Sequence, residues 1–227
     1  VANSAIARAE YRNQNYREAL EYYKIATDKV GYSEAYWQLR YDFMQRHMLT
    51  ILIVFIVLYV LVASVKFADR KWGTFYFVHD FTKKVKSKRS VSEFLLLFKM
   101  FRHPIDTVHD VKRYQKSSKK TATIIYVLFV VVMILSRYLE SFIFSTVNFE
   151  RFNVFKDALI LFGIVFLFVI SNYLISSLQN GEGWLKDVYI ATSYTLAPII
   201  VFMPFITLMS HALTLNEMFI YQAANYI

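Results

Sequence analysis

Four long apolar blocks constrain this chain more than any other feature of its sequence. A helix of about 20 apolar residues crosses the roughly 30 Å of hydrocarbon in a bilayer and satisfies its own backbone hydrogen bonds there. One such block is compatible with a buried core helix, but four in 227 residues favour membrane insertion. The sequence therefore predicts an all-α, polytopic transmembrane bundle. The blocks are MLTILIVFIVLYVLVASV (Met48–Val65), TATIIYVLFVVVMILS with its continuation to Phe144 (Thr121–Phe144), ALILFGIVFLFVISNYLISSL (Ala158–Leu178) and VYIATSYTLAPIIVFMPFITLM (Val188–Met209).

Lysine and arginine are concentrated in one segment, and this sets the predicted orientation. Between Lys66 and Lys120 there are 15 Lys and Arg against 5 Asp and Glu, so this segment alone exceeds the net charge of +9 of the whole chain. Because basic loops stay on the cytoplasmic side of a membrane, residues 66–120 are predicted to be cytoplasmic. Residues 1–47, Asn148–Asp157 and His211–Glu217 then lie outside, and Gln179–Asp187 lies inside. We expect a multi-pass plasma-membrane protein.

The polar, aromatic-rich N-terminal residues 1–47 have a helical period, and AIARAEYRNQNYREALEYYKIATDKVGYSEAYW resembles a tetratricopeptide repeat. Small residues would let two helices approach, and tyrosines would fill the groove between them. The resemblance predicts a soluble helical-repeat hairpin that binds a protein partner, and an ordinary helical hairpin is the alternative. The residues that match the repeat are Ala7, Tyr16, Ala19, Tyr23, Ala26, Ala35 and Trp37, with Gly31 where the repeat usually has proline.

From this repeat we select Tyr16, Tyr23 and Trp37 as candidate partner-binding residues. One repeat cannot bury its own face, so further repeats are expected before Val1. The stretch Glu34–Val65 contains neither glycine nor proline. It predicts a single helix that joins the N-terminal part rigidly to the first span, residues 48–65, over roughly 48 Å.

The segment FRHPIDTVHDVKRYQKSSKK combines histidines and aspartates in a way that suggests chemistry. However, His103 and His109 are six residues apart and face different sides of a helix, whereas helical metal ligands are three or four apart. The chain has no cysteine, which excludes disulfides, thiol catalysis and cysteine-bound metals. The segment therefore predicts neither a metal site nor an acid–base site.

Amphipathic helices explain the same region better. SVSEFLLLFKMF begins with a capping-box pattern, Ser90 to Glu93, and Pro104 suits the first turn of a second helix with an apolar stripe of Ile105, Val108 and Val111. Basic amphipathic helices lie in the lipid headgroup region. Nucleic-acid binding would also explain the charge, but no folded reader accompanies it. The candidate membrane-surface cations are Lys83, Lys84, Lys86, Lys88 and Arg89.

Two further stretches, FKMFRHPIDTVHDVKRYQKSS before a span and NGEGWLKDVYIATSYTLAPIIVFMPFITLMSHALTLNE, resemble the membrane domain of the Yip (Ypt-interacting protein) family. The resemblance covers about Phe98 to Ile227 and implies a bundle of about five spans without enzymatic activity or cofactor. Residues 121–227 would supply three spans, with more expected beyond Ile227. The DLYGP-type motif of eukaryotic members is absent, which favours a bacterial protein. The matching positions are Asn180, Gly181, Gly183, Tyr189, Tyr194, Ala197 and Pro198.

Ionisable and polar residues within spans are costly and are candidates for function. Arg137 and Glu140 lie three apart and could neutralise each other, although the depth of Arg137 favours an anchor at the outer interface. Asn172 is predicted to hydrogen-bond to a neighbouring helix. Pro198 and Pro204 are candidate kinks in the fourth span.

Together these features favour a non-enzymatic membrane scaffold or adaptor that binds a protein partner outside and a membrane partner through its bundle. An accessory subunit of an ABC-type nutrient transporter complex is one concrete version. The alternatives are a transporter or channel subunit with a cavity lined by Asn172, Tyr194, Thr195 and Pro198, and a trafficking adaptor as in eukaryotic Yip proteins. A lipid-modifying enzyme would need clustered His, Asp or Glu. The expected partners are lipid and protein, with no cofactor, metal, nucleic acid or assignable small-molecule substrate.

Overall fold

The computed structural model describes residues 2–72, 83–84, 87–113, 117–146, 153–178 and 184–226, and these residues form helices and turns without a strand. The prediction of an all-α chain is confirmed. The helices in chain order are α1 (Ala2–Arg12), α2 (Tyr16–Ile25), α3 (Lys29–Trp72), α4 (Arg89–Arg102), α5 (Pro104–Arg113), α6 (Lys119–Leu139), α7 (Val154–Leu178), α8 (Leu185–Thr195), α9 (Ala197–Ser210) and α10 (Met218–Asn225), with a 3-10 turn at Leu215–Glu217.

Four helical stretches are long and apolar enough to cross a membrane. They are Lys29–Asp69 within α3, the whole of α6, the whole of α7, and Leu185–Ser210, which α8 and α9 form together. Three of them contain one of the predicted blocks whole, and α6 contains the second block as far as Leu139. Of the four, the apolar window of α3 has no buried residue.

The helix α3 joins the polar N-terminal part to the first apolar block without interruption. It runs for 44 residues, which at about 1.5 Å per residue is roughly 66 Å. The sequence predicted this continuity because neither glycine nor proline interrupts the stretch from Glu34 to Val65.

The second block ends earlier than predicted. The sequence predicts a helix as far as Phe144, but α6 ends at Leu139 and Glu140 takes an extended conformation, with φ −63° and ψ 140°. The backbone N–H of Ser141 donates to the hydroxyl of Ser210 at 3.0 Å instead of to a helical carbonyl. This contact with α9 replaces the next helical hydrogen bond and stops α6.

The fourth block is divided into two helices at Leu196. Its N–H turns back to the carbonyl of Ser193 at 3.4 Å, and Pro198 occupies the first turn of α9. Proline has no N–H to donate and clashes with a preceding helical turn, so the division falls just before it. Pro204 lies inside α9, which continues across it.

The chain separates into two compact units. The first unit comprises Val1–Lys83, Phe142–Phe144 and Ala212–Ala223, and the second comprises Lys84–Ser141, Ser145–His211 and Ala224–Ile227. In the second unit α6 contributes more buried residues than any other helix to a core that also includes residues from α4, α5, α7, α8 and α9. The buried members include Leu97, Val111, Ile125, Phe129, Val165, Val169, Ile190 and Ile200.

The first unit has a small core between α1, α2 and the start of α3. Ala7, Ala19 and Ala35 are fully buried around the ring of Tyr23. Gly31 lies in the first turns of α3, where an added Cβ would come within 2.2 Å of Cε1 of Tyr23. Glycine is therefore needed here for the close approach of α3 to the tyrosine ring, a different reason from the proline position of the repeat pattern.

Candidate functional site

The first unit contains an open groove between the start of α2 and the middle of α3. Its volume is about 460 Å³. On α3 the lining residues recur every three or four positions, so they lie along one face of that helix. The groove is lined by Gln14, Asn15, Tyr16, Arg17, Glu18, Leu39, Asp42, Phe43, Arg46 and His47.

Four charged side chains line this groove. Arg17 and Glu18 on α2, and Asp42 and Arg46 on α3, form no salt bridge within the part of the chain that the structure describes. Phe43 adds an apolar surface that is 53% exposed. Both signs of charge beside an exposed aromatic ring suit a polar partner better than a purely apolar one.

The three candidate partner-binding residues of the repeat have different surroundings. Tyr16 lines the groove and packs edge-on against Tyr11, with ring centroids 5.5 Å apart. Trp37 is 41% exposed and carries the guanidinium of Arg40 at 4.8 Å above its ring. Tyr23 is buried in the core of the first unit, so Tyr16 and Trp37 are the members that offer surface to a partner.

A bidentate ion pair between Arg40 and Glu217 holds the segment Ala212–Ala223 within the first unit. The two guanidinium nitrogens of Arg40 donate to the Glu217 carboxylate at 2.8 and 2.9 Å, and Arg40 also donates to the carbonyl of Ala212. The backbone N–H of Thr214 donates to the same carboxylate at 2.9 Å, and that of Leu215 donates to Ser33 Oγ at 2.8 Å. The hydrogen bonds from Arg40, together with those from Thr214, hold the pKa of Glu217 below its usual range although burial opposes this.

The second unit contains a buried carboxylate, Glu93 of α4, whose side chain is 2% exposed. It accepts hydrogen bonds from the backbone N–H of Ser118 at 3.0 Å, from the Ser118 hydroxyl at 2.9 Å and from the Thr121 hydroxyl. The other oxygen accepts from Nε of Arg89 at 3.0 Å. Ser118 is the N-cap of α6, so Glu93 joins α4 to the start of that helix.

The pKa of Glu93 reflects two opposing causes. Burial raises it, but the hydrogen bonds from Thr121, Ser118 and Arg89 together outweigh burial and lower it. The positive end of the α6 dipole acts in the same direction. The carboxylate is thus ionised at neutral pH.

The predicted capping box of α4 is not formed. The helix begins at Arg89, with Lys88 as its N-cap and no side-chain cap, and the Glu93 carboxylate turns to α6 instead. The local sequence pattern does not predict this contact because Ser118 is 25 residues away. The sequence feature that could have indicated a distant partner is the position of Glu93, an acidic residue on the apolar side of α4 at the helical spacing of Leu97 and Phe101.

Tyr194 at the end of α8 completes this polar cluster. It is fully buried; its hydroxyl donates to the carbonyl of Glu93 at 3.1 Å and shares a hydrogen bond with the hydroxyl of Ser117 at 2.7 Å. The neighbouring Thr195 is exposed and bonds to the carbonyl of Thr192 at 2.7 Å. Two residues predicted to line one cavity therefore face different ways.

The polar residues predicted within spans are not brought together. Arg137 reaches Asp157, at the start of α7, at 3.4 Å, and its side chain is 57% exposed. Glu140 caps the end of α6. Asn172 is half-buried on α7, and the hydrogen bonds among the described residues do not include it.

Three of the predicted surface cations are exposed, namely Lys83, Lys84 and Lys88. Arg89 forms an ion pair with Glu93, and Lys86 lies outside the described residues. The stripe predicted on α5 is split, since Val111 is buried and Ile105 is 83% exposed. Among the described residues, no three His, Cys, Asp or Glu side chains converge as metal ligands would.

No family model, no curated protein and no solved structure matches this chain. The resemblances to tetratricopeptide repeats and to the Yip membrane domain stay predictions, and the function is inferred from the geometry above.

Proposed function

We propose that this chain is a non-enzymatic scaffold or adaptor of a plasma membrane, with a helical-repeat-like N-terminal part outside. It binds a protein partner through the groove of the first unit and a membrane partner through its helical bundle, for example as an accessory subunit of a transporter complex. The observation that carries the proposal is the continuity of α3. The residues from Leu39 to His47 that line the groove and the apolar block from Met48 onward belong to one helix.

The unpaired charges of the groove support a protein partner. A partner that supplies the opposite charges would interact favourably with the side chains of Arg17, Glu18, Asp42 and Arg46. Charges at the rim of an interface mainly set its specificity and association rate. The exposed rings of Phe43 and Trp37 add the aromatic surface that interfaces favour.

The composition of the first unit supports the proposed sidedness. Phe142–Phe144 follows α6 and Ala212–Ala223 follows α9, yet both segments belong to the same unit as α1 and α2. Phe142 packs against Tyr32 and Glu217 binds Arg40, so both segments lie on the same side of a bilayer as the start of α3. With the basic segment 66–120 inside, this side is the exterior.

Because the chain has no cysteine, single cysteines report sidedness directly. We expect Lys24→Cys on α2 to react with a membrane-impermeant maleimide on intact cells, and Lys84→Cys to react only after permeabilisation. Labelling of Lys84→Cys from outside intact cells would refute the proposed sidedness.

Purification of the intact protein in mild detergent tests the scaffold function. A stoichiometric partner should co-purify, and Arg46→Glu in the groove should release it. Lys24→Glu makes the same charge change on an exposed residue outside the groove and should retain it. A protein that purifies alone, or a partner that both variants retain equally, would contradict the proposal.

A transporter or channel subunit is the second candidate, and the division of the fourth span at Leu196 favours it. Helices broken in the membrane form binding sites in transporters. Here the break adjoins the buried side chains of Ser193 and Tyr194. Solute flux into proteoliposomes that contain only this protein would support this candidate over the scaffold.

A further inference from the structure

The helix α4 presents a row of exposed apolar side chains that its packing in the second unit leaves uncovered. Leu95 and Phe98 are 37% and 61% exposed, and Arg102, which is also exposed, continues the same row at a spacing of i, i+3 and i+7. The opposite side is buried, with Leu97 5% exposed and Glu93 2% exposed. The outward row is therefore an amphipathic face at the surface of the unit.

Two contacts fix α4 against helices that have the composition of membrane spans. Glu93 binds Ser118 and Thr121 at the start of α6. At the other end of α4, the ring of Phe101 packs edge-on against Phe202 of α9, with centroids 5.5 Å apart and planes at 89°. α4 therefore lies against the surface that α6 and α9 would present to lipid.

The depth of α4 follows from the sequence of α6. That helix begins with two exposed lysines, Lys119 and Lys120, and continues as an apolar span. Lysines at the end of a span lie at the headgroup level, where they snorkel toward water. Because Glu93 contacts Ser118, the residue before these lysines, the first half of α4 lies at that level too.

Unpaired cations lie at both ends of the exposed row, at Lys88 and Arg102, and at the start of α6. Lys88, Arg102, Lys119 and Lys120 are exposed, and none of them forms an ion pair within the described part of the chain. Arg89, by contrast, forms an ion pair with Glu93. Exposed apolar side chains between unpaired cations are complementary to an anionic leaflet, in which phosphate lies next to acyl chains.

We propose that α4 lies in the headgroup region of the bilayer and binds anionic phospholipids. Leu95 and Phe98 enter the acyl boundary, and Lys88 and Arg102 contact the anionic headgroups. This lipid surface does not depend on the partner groove of the first unit. A protein covering the same row is the competing occupant, and the experiment below distinguishes the two.

The test uses the full chain with Phe98→Cys carrying an environment-sensitive NBD label, reconstituted in vesicles of phosphatidylcholine mixed with phosphatidylglycerol. Lys24→Cys on α2 is the control, and Leu95→Cys repeats the test at a second position of the row. Nitroxide-labelled phosphatidylglycerol and nitroxide-labelled phosphatidylcholine are compared as quenchers at equal mole fraction.

We expect blue-shifted emission at positions 98 and 95 and water-like emission at position 24. Phosphatidylglycerol should quench the label at position 98 about two- to five-fold more than phosphatidylcholine, since two or more cations act on the headgroup at close range. The preference should fall toward one in Lys88→Glu with Arg102→Glu, and in about 1 M salt, where the screening length is about 3 Å.

Three results would overturn the proposal. Water-like emission at positions 95 and 98 would place the row in solvent. Equal quenching by the two lipids would show that α4 meets the bilayer without selecting anionic headgroups. Blue-shifted emission that neither lipid quenches would show that a protein surface, a partner or a second copy, covers the row.

Discussion

Replacement of Glu93 with alanine should detach α4 from α6. The carboxylate is 2% exposed and accepts four hydrogen bonds, three of them from Ser118 and Thr121. Removing one partner from a buried ionic cluster costs about 3–5 kcal/mol. Arg89 contributes little because its side chain is 78% exposed. We therefore expect the lower end, about 3 kcal/mol, which raises the population of detached α4 about 150-fold.

Hydrogen exchange of the purified full chain measures this detachment locally. The amides of α4 should exchange faster in Glu93→Ala, while the amides in the middle of α7 keep their rates. Glu93→Gln should be intermediate, since its one carbonyl oxygen accepts fewer hydrogen bonds and the Ser118 and Thr121 hydroxyls can rotate toward its amide group. Asp106→Ala on α5 removes an acid whose pair with His103 is exposed and should change exchange little.

The same contact predicts a pH dependence of definite sign. The folded pKa of Glu93 is lowered, so its stabilising contribution is present above the unfolded value of about 4.3 and is lost as pH falls through the folded value. The protection of the α4 amides, which is their exchange rate relative to the intrinsic rate at the same pH, should be constant from neutral pH to about pH 5 and fall below about pH 4. Unchanged exchange in Glu93→Ala, or an effect no larger than that of Asp106→Ala, would refute the assignment of Glu93 as the attachment of α4.

Four further substitutions and one double variant test the first unit and the ion pair between α6 and α7 by thermal unfolding in detergent. Arg40→Ala and Glu217→Ala should each destabilise the first unit by about 1–3 kcal/mol, and the double variant should cost clearly less than the sum because the two groups bind each other. Gly31→Ala should be destabilising by about 1–3 kcal/mol despite its better helix propensity, because the new methyl overlaps the Tyr23 ring; a stabilised variant would show that the ring moves aside. Arg137→Ala should cost less than about 1 kcal/mol, since its pair with Asp157 is largely exposed.

Composition and local pattern predicted the four long apolar helical stretches and the continuity of α3. The four apolar blocks exceed the length of most buried helices, so their assignment needs no knowledge of tertiary contacts. The continuity of α3 follows from the absence of glycine and proline between Glu34 and Val65. The first prediction rests on hydrophobicity and the second on helix propensity, properties that each residue carries independently of its distant neighbours.

Helix ends were predicted less well because distant partners decide them. α6 stops at Leu139 because the N–H of Ser141 is taken by Ser210, 69 residues away. The apolar pattern continues through Phe142 and Phe144, and pattern alone cannot separate a longer helix from a turn whose aromatic side chains pack elsewhere. In the structure Phe142 packs against Tyr32 within the first unit, with ring centroids 5.0 Å apart.

Two hydrogen-bonded acids, the buried Glu93 and the partly exposed Glu217, show what a sequence signal for such contacts looks like. Glu93 and Glu217 each bind one arginine and the hydroxyl group of a helix-start residue, Ser118 and Thr214 respectively. Carboxylates are stabilised at helix starts, where backbone N–H groups lack partners and the dipole is positive. An acid on the apolar side of an amphipathic helix must find such donors, because an unpaired buried charge is costly. For Glu93 the chain offers Ser117 and Ser118 directly before a span, so the pairing was open to inference from chemistry although the local Ser90–Glu93 pattern pointed elsewhere.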